Sequence, residues 1–374
     1  MTGKRVIDAE LGPFARRAMA CAAWGGKVYF FGGVGSRGKE SILDVDAELW
    51  SLDPAGWRWA YLGGKAGDAP QAWPGPRRCC GFAETLDGIS MWGGSGLSGP
   101  GSATPSYTFL NDLWKLTPAD GRWQLLEDTD DFRNSPGDSA RPVPRYTPLW
   151  RFLGPTGVLF GGYTEDLLGK RKLNDLWLRE AASGRWESVT ASAPHAGDPK
   201  PPTWPGVRYG AMSAQSEGSV YVCGGFSDAG DHIDLWAWDA HQRSWRCLWP
   251  DEESANSPSK RYCAACTFQE DAIWLFGGRS RRFPKHNYND TWRFDLRTGQ
   301  WALVDPQDLD HDYSAGARHI GYHAKAASAV VNGSWILWGG EGRRGHVSDL
   351  WKFDFQTKRW QMLQPARADD PVLW

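Results

Sequence analysis

The best cluster of potential metal ligands lies at residues 308–312, which read Asp-Leu-Asp-His-Asp. His319 and His323 follow it, and alternation along a strand would place both on one face. Carboxylate and imidazole groups together suit iron, manganese or zinc. Acidic loops are common without a metal, however, so the sequence predicts no cofactor. Asp310, His311 and His323 are kept as weak candidates for a divalent ion.

Other catalytic patterns are missing or weak. Cys263 and Cys266 have the spacing of a redox pair, but on a strand their side chains would point to opposite faces. No Ser-His-Asp order, Gly-rich phosphate loop or helical His-x-x-x-His motif occurs. The seven cysteines are odd in number and lie mostly in apolar runs, which predicts reduced, packed thiols. The sequence therefore leaves open whether the protein is an enzyme.

The charge balance excludes some classes of partner. Lys and Arg number 42 and Asp and Glu number 44, so a net charge of -2 favours neither nucleic acid nor an anionic membrane. No apolar stretch approaches the length of a membrane span, and the N-terminal residues lack the apolar core of an export signal. We therefore expect a cytoplasmic monomer.

Two landmarks recur six times along the 374 residues. In the first, a tryptophan is followed nine residues later by another: Trp50/Trp59, Trp114/Trp123, Trp177/Trp186, Trp236/Trp245, Trp292/Trp301 and Trp351/Trp360. In the second, an apolar run is followed by two glycines, at Gly32-Gly33, Gly93-Gly94, Gly161-Gly162, Gly224-Gly225, Gly277-Gly278 and Gly339-Gly340. A repeat of roughly sixty residues predicts one closed array rather than several domains.

Each repeat fits four short strands. The second is a continuous apolar run, as expected for a strand buried on both faces, and the glycine pair should end it. Turn residues such as 295–299 join the third and fourth strands into a hairpin. Six such sheets around an axis cover one another, which predicts an all-β, six-bladed β-propeller with four antiparallel strands per blade. We assign residues 1–374 to this single domain, with blades at about 14–64, 78–127, 145–190, 208–249, 261–304 and 318–363 and a tail at 364–374.

The repeat resembles the Kelch family, whose pattern is an apolar strand ending in Gly-Gly, a segment such as Asn111-Asp112-Leu113-Trp114, and a tryptophan some nine residues later. The resemblance extends from about Arg17 to Leu363. Propellers of the WD type would need His and Trp-Asp landmarks that this sequence lacks.

The resemblance implies a ligand face lined by three groups of residues. The residues after the glycine pairs are Val34, Ser95, Tyr163, Phe226, Arg279 and Glu341. The arginines that open the innermost strands are Arg17, Arg78, Arg145, Arg208, Arg261 and Arg318. Variable loops complete the face.

The six arginines have two interpretations. At one end of a narrow channel they would form a positive mouth for carboxylate, sulfate or phosphate. Alternatively they tie the structure together by bonding backbone carbonyls or the recurring acids Glu48, Asp112, Asp175, Asp234, Asp290 and Asp349. A residue present in every repeat fits an architectural role better, so function is sought where the repeats differ.

The residues after these arginines do differ: they are Ala18, Cys79, Tyr146, Tyr209, Tyr262 and His319. Four blades thus present a ring side chain, which suits an organic ligand, although simple channel packing is the alternative. Basic loops at 279–286 and 343–346 add positive charge.

We therefore predict a propeller that holds a peptide, a protein or a small anionic organic ligand at the channel mouth. The alternative is an isomerase, lyase or cyclase, with or without a metal, acting at the same mouth. Fold alone does not choose between them.

Overall fold

The computed structural model describes residues 11–36, 43–64, 72–98, 106–129, 140–166, 169–189, 204–282, 287–306, 320–342 and 345–367. The regular structure of these residues is β-strand, and no helix among them is long and apolar enough to cross a membrane.

The strands of the first two blades are β1 (Arg16–Arg17), β2 (Ala20–Trp24), β3 (Lys27–Phe31), β4 (Val34–Ser36), β5 (Leu43–Val45), β6 (Leu49–Asp53), β7 (Arg58–Gly63), β8 (Arg77–Arg78), β9 (Gly81–Thr85), β10 (Gly88–Ser98), β11 (Ser106–Thr117) and β12 (Arg122–Glu127). The third and fourth blades contain β13 (Leu149–Leu153), β14 (Thr156–Asp166), β15 (Gly169–Glu180), β16 (Trp186–Ser188), β17 (Met212–Gln215), β18 (Ser219–Ser227), β19 (Gly230–Asp239) and β20 (Ser244–Trp249). The last two contain β21 (Ala265–Gln269), β22 (Ala272–Phe276), β23 (Thr291–Asp295), β24 (Gln300–Asp305), β25 (Ala327–Val331), β26 (Ser334–Gly342), β27 (Gly345–Asp354) and β28 (Arg359–Gln364).

These strands form the predicted six-bladed propeller. The four main strands of each blade are antiparallel and follow chain order, for example β2-β3-β6-β7 in the first blade and β25-β26-β27-β28 in the sixth. Short strands extend the first two blades, as β1-β4-β5 and as β8 beside β10. The innermost strands touch their neighbours all the way round, including β2 against β25. In the described part of the chain, the four main strands of the first blade and those of the last each come from one continuous stretch of sequence, without strand exchange between the two blades.

The hydrophobic core lies between the blades. The buried apolar residues form six clusters, and each joins two neighbouring blades, including the sixth and the first. The second tryptophan of each pair contributes to them. Trp123, for example, contacts Phe31 of the first blade with ring centroids 5.1 Å apart, and Trp59 contacts Trp338 of the sixth at 5.8 Å. Burial of such large rings provides much of the apolar surface that stabilises the ring of blades.

The glycine pairs let the next blade approach closely. A Cβ atom at Gly32 would lie 2.3 Å from the carbonyl oxygen of Arg77, and the N–H of Gly33 donates to that oxygen at 2.9 Å. Both glycines have positive φ, 70° and 94°. Glycine adopts such angles without strain, so the pair allows a backbone bond between blades that other residues would block.

The expectation that the glycines end the second strand is wrong for four blades. β10, β14, β18 and β26 continue through their glycine pairs with a shift of register, as at a β-bulge. β3 and β22 do end just before theirs. In the four blades the bulge bends the strand and carries it on toward one end of the channel.

A ring of hydrogen bonds surrounds the channel. One residue per blade, with φ between 50° and 62°, takes part: Ala18, Cys79, Thr147, Gly210, Cys263 and Lys325. In five steps the N–H of one residue donates to the carbonyl of the residue in the preceding blade, and the N–H of Gly210 instead donates to Thr147 Oγ1 at 3.2 Å. The step from Ala18 to Lys325, 2.8 Å long, joins the first blade to the sixth. Gln364 adds a second link there, since it accepts from Trp59 Nε1 and donates to the carbonyl of Leu11.

Candidate functional site

One buried basic side chain in each blade is bonded to an acid of that blade. In the fourth, Arg208 Nη1 and Nη2 lie 2.7 and 2.8 Å from the two carboxylate oxygens of Asp234, which also accepts from the indole of Trp236. The equivalent pairs are Arg16–Glu48, Arg77–Asp112, Arg145–Asp175, Arg261–Asp290 and His323–Asp349. These basic side chains are at most 3% exposed, so they do not line the mouth and instead fit the architectural interpretation.

The assignment of the strand-opening residue needs correction in three blades. Each buried basic side chain bonds the carbonyl of the first glycine of its pair, sixteen residues later. This interval selects Arg16 and Arg77 where Arg17 and Arg78 were expected, and His323 where Arg318 was expected. Two of these blades carry consecutive arginines, and the sixth replaces the arginine with histidine. Arg318, His319, Asp310 and His311 lie outside the described residues.

The residue after each buried basic residue reaches the mouth. There it pairs across the sheet with the residue after the glycine pair, giving Arg17–Val34, Arg78–Ser95, Tyr146–Tyr163, Tyr209–Phe226, Tyr262–Arg279 and Ala324–Glu341. The sequence predicted Ala18 and Cys79 at the mouth, but each lies one residue further along the strand, in the ring of hydrogen bonds. The mouth therefore has two arginines, three tyrosines and an alanine at this position, and it is asymmetric.

An aromatic wall occupies one side of the mouth. It comprises Phe109, Tyr146, Tyr163, Tyr209, Phe226 and Tyr262, from blades two to five. Neighbouring ring centroids lie 5.4–6.3 Å apart, so the rings form one continuous surface. The wall borders a cavity of about 500 Å³, a size typical of sites for small molecules or peptide side chains. Sequence reasoning missed Phe109, which lies on β11 beyond the repeated landmarks.

Two arginines flank this wall without a carboxylate partner among the described residues. The guanidinium of Arg78 lies 4.0 Å from the ring centre of Tyr107, and its buried Nε has no hydrogen-bond partner. The guanidinium of Arg281 lies 4.5 Å from the ring centre of Phe226. Arg281 Nε also donates to the hydroxyl of Tyr262 at 3.4 Å. Stacking on aromatic rings holds each guanidinium in place, and the terminal N–H groups of both arginines have no carboxylate partner among the described residues. The mouth thus offers cations ready to bind an anionic group.

Glu341 neutralises the opposite side of the mouth. Its Oε2 lies 2.9 Å from Arg17 and 2.8 Å from Arg279, with Lys325 at 4.0 Å. Burial tends to raise the pKa of Glu341, but these three cations outweigh it and the pKa is lowered. Glu341 is therefore ionised at neutral pH. It occupies Arg17 and Arg279, so Arg78 and Arg281 are the arginines of the mouth, as far as the structure describes it, that have no carboxylate partner.

Three tyrosines of the wall, Tyr146, Tyr209 and Tyr262, are neutral at physiological pH. Burial raises the pKa of Tyr209 to about 12 and also raises that of Tyr262. The neighbouring Cys79 and burial raise the pKa of Tyr146. Each phenol can therefore donate a hydrogen bond while its ring packs against an apolar group.

The potential metal ligands are engaged within the protein. His232, Asp234 and Asp251 form the one cluster of suitable spacing found among the described residues. His232 Nδ1 lies 2.8 Å from Asp251, however, and Asp234 is paired with Arg208. His323 is also engaged: Nδ1 bonds the carbonyl of Gly339 at 2.8 Å, and Nε2 lies 3.3 Å from Asp349.

Comparison with known proteins agrees with this architecture. A model of the KLHDC2/KLHL20/DRC7 Kelch-repeats domain matches residues 133–322. The chain belongs to the Kelch-repeat family. It is 24% identical over 272 residues to Kelch domain-containing protein 10 of Homo sapiens and of Bos taurus, covering 73% of this chain and 56% of each relative. It is 25% identical over 280 residues to the leucine-zipper-like transcriptional regulator 1 homolog of Drosophila melanogaster, covering 72% of this chain and 25% of that protein. This Kelch chain therefore spans little more than half the length of the first relatives.

Proposed function

We propose that the channel mouth binds a peptide segment of a protein partner by pairing Arg78 with an acidic group of that segment. The Kelch propeller is a fold typical of protein-interaction scaffolds. The observation that carries the proposal is the guanidinium of Arg78, which stacks on Tyr107 and has no acidic partner among the described residues. A buried or half-buried cation of this kind is stabilised by a carboxylate, which two parallel N–H groups can hold. A small anionic organic ligand would use the same contacts.

The charges of the mouth favour one orientation of the ligand. Glu341 lies on the side of the first, fifth and sixth blades and would repel an acidic group there. Arg78 on the second blade and Arg281 on the fifth flank the aromatic wall, which would receive the apolar part of the ligand. A peptide that carries an acidic residue next to an aromatic or aliphatic residue would therefore fit the mouth.

The alternative, acid–base catalysis by an isomerase, lyase or cyclase, gains no support from the titratable groups of the mouth. An efficient general base has a pKa near the operating pH. The pKa values of Tyr209 and Tyr262 are raised by burial, and that of Glu341 is lowered by its cations. Binding is therefore the better-supported function. The cytoplasmic location and the monomeric state stay predictions from the sequence.

The test is a selection of peptides from a random display library on the wild-type protein, followed by fluorescence anisotropy with the selected peptides. Arg78→Ala removes a charged hydrogen-bond donor worth about 1.5–3 kcal/mol, so affinity should fall about 10- to 100-fold. Arg122→Ala, on an 83% exposed side chain of the same blade, is the matched control and should bind like the wild type.

A second variant tests the wall. Tyr209→Ala with Tyr262→Ala should abolish binding, while circular dichroism shows that the propeller is still folded. Selected peptides should be enriched in Asp and Glu, and their affinity should fall as salt is added. Peptides that bind Arg78→Ala and the double tyrosine variant as well as they bind the wild type would show that the mouth is not the binding site.

A further inference from the structure

The channel continues beyond the ring of hydrogen bonds into a second cavity. The mouth residues precede the ring residues along each innermost strand, and the residues of this cavity follow them, so the ring separates the two spaces. We call the second cavity the lower chamber. It has a volume of about 220 Å³ and is lined by the innermost strands of all six blades. A single water occupies about 30 Å³ of liquid, so the chamber can hold a small ion and several waters but not a folded peptide.

One charged side chain, that of Arg151 on β13, lines the lower chamber. The corresponding strand positions in the other blades are uncharged: they are Ala22, Ala83, Ala214, Thr267 and Ala329. Among the described residues that line the lower chamber, the third blade thus places a lone guanidinium beside otherwise uncharged side chains. Because repeats share their scaffold residues, a departure in a single blade is where a specific role is expected.

The contacts of Arg151 leave its charge without a counter-ion. Nη1 donates to the carbonyl of Trp150 at 3.0 Å, and Nη2 donates to the carbonyl of Ser213 at 3.1 Å. A guanidinium has five N–H donors, so three remain without a protein acceptor among the described residues. None of these residues supplies a carboxylate to Arg151. The side chain of Arg151 is half-buried, and burial lowers its pKa, yet an arginine does not lose its proton in a protein.

The thiols nearby do not supply the missing charge. Cys21 and Cys266 line the same chamber and interact electrostatically with Arg151. Burial raises the pKa of each thiol to about 12, although the charge of Arg151 opposes this, so both thiols are neutral at physiological pH. They act as weak S–H donors, and Ser213 and Ser328 add hydroxyl groups to the lining. The chamber therefore presents donors around a cation.

We propose that the lower chamber binds a small inorganic anion, such as a halide, on the free N–H groups of Arg151. A half-buried guanidinium without a carboxylate partner attracts an anion, and a small anion is the partner that the small volume and the donor-rich lining admit. This site is separate from the mouth and does not depend on the function proposed there. The anion binds Arg151 on the innermost strand of the third blade. Because it binds only the folded protein, it stabilises the folded state.

Bromide is the probe for the test. Thermal unfolding of the full chain is followed while bromide replaces gluconate, a much larger anion, at constant ionic strength. The midpoint of unfolding should rise with bromide concentration and reach a plateau, as expected when a ligand binds only the folded state. Arg151→Met should lose this rise. Arg122→Met, on a side chain of the second blade that is 83% exposed, should keep it.

Crystals of the wild-type protein soaked in bromide locate the ion independently of any variant. An anomalous peak within hydrogen-bond distance of the Arg151 guanidinium is expected. The inference requires both the peak and the saturable rise in the wild-type protein. A chamber with only water at Arg151, a wild-type midpoint that does not respond to bromide, or an equal response in Arg151→Met would each overturn it. If Arg151→Met does not fold, Arg151→Lys, which keeps the charge but has fewer donors, should show a weaker response, and a response equal to that of the wild type would overturn the assignment to the guanidinium.

Discussion

Replacing Arg208 with methionine tests whether the buried ion pairs stabilise the propeller. Arg208 and Asp234 have side chains only 1% and 2% exposed. The arginine makes four hydrogen bonds: two to Asp234, one to the carbonyl of Gly224 at 2.9 Å and one to that of Gly206 at 2.9 Å. Methionine retains an apolar chain of similar path but removes every one of these donors. Asp234 is left as a buried carboxylate without its cation.

The expected cost follows from that uncompensated charge. Removal of one partner from a buried ion pair destabilises a protein by about 3–5 kcal/mol, whereas substitution of an exposed charged residue changes stability by less than about 0.5 kcal/mol. Arg208→Met should therefore lower the free energy of unfolding by about 3–5 kcal/mol. Arg122→Met, on a side chain that is 83% exposed, is the control and should be nearly neutral.

Urea unfolding followed by tryptophan fluorescence and by circular dichroism measures both variants. The double variant Arg208→Met/Asp234→Leu adds a sharper criterion. It removes both charges, so it should be more stable than Arg208→Met alone even though it carries one more substitution. If Arg208→Met costs no more than Arg122→Met, or if the double variant loses the sum of the two single changes, the pair does not act as a buried ion pair that holds the blade.

Two further predictions concern other blades. Burial alone would lower the pKa of His323, but the charge of Asp349 and its hydrogen bond outweigh it and raise the pKa above 6.5. The stability from this pair is thus complete below about pH 6.5 and is lost as the pH rises through the raised pKa. The difference in unfolding free energy between the wild type and His323→Asn should therefore shrink as the pH rises above about 6.5, and a constant difference would contradict this. A Cβ at Gly81 would lie 2.3 Å from Trp150 Cβ, so Gly81→Ala should cost about 1–3 kcal/mol in urea unfolding. Gly218→Ala, with no atom within 4 Å of the added Cβ, should be within about 0.5 kcal/mol of the wild type, and equal losses would refute the packing argument.

The fold could be predicted from the sequence because its landmarks are the contacts that build it. The tryptophan pair spans one hairpin, and its second ring packs against the preceding blade, as Trp123 does on Phe31. The glycine pair is required where the next blade bonds its backbone, as at Gly33. Because every blade makes these same contacts to its neighbour, the same residues recur at the same spacing along the sequence.

The site was harder to predict because, of two adjacent residues, one is buried in the ion pair of the blade and the other lies at the mouth. Where two arginines stand together, as at Arg77-Arg78, composition does not tell which one turns into the blade. The interval of sixteen residues from the buried arginine to the first glycine identifies it as Arg77, and this interval can be counted in the sequence. Applied to the sixth blade it would also have found His323. Phe109 and Tyr107 had no such signal, since they lie on a strand whose distance from the glycine pair varies between blades.

The buried basic residue and the mouth residue of each blade are adjacent in sequence. This explains how mouth residues can be substituted, and the ligand changed, while the fold is retained. In the third blade, the backbone N–H of Arg145 donates to Leu110, its carbonyl accepts from Gly94, and its side chain is bonded to Asp175. Tyr146, the next residue, is therefore held in position by the contacts of its neighbour as well as by its own backbone pair with Tyr163. A mouth residue fixed in this way loses little conformational freedom on binding, which favours affinity. Substitution of the side chain at such a position should change what is bound far more than it changes stability, because the backbone bonds that join the blades are made by the neighbouring residues Arg145 and Thr147.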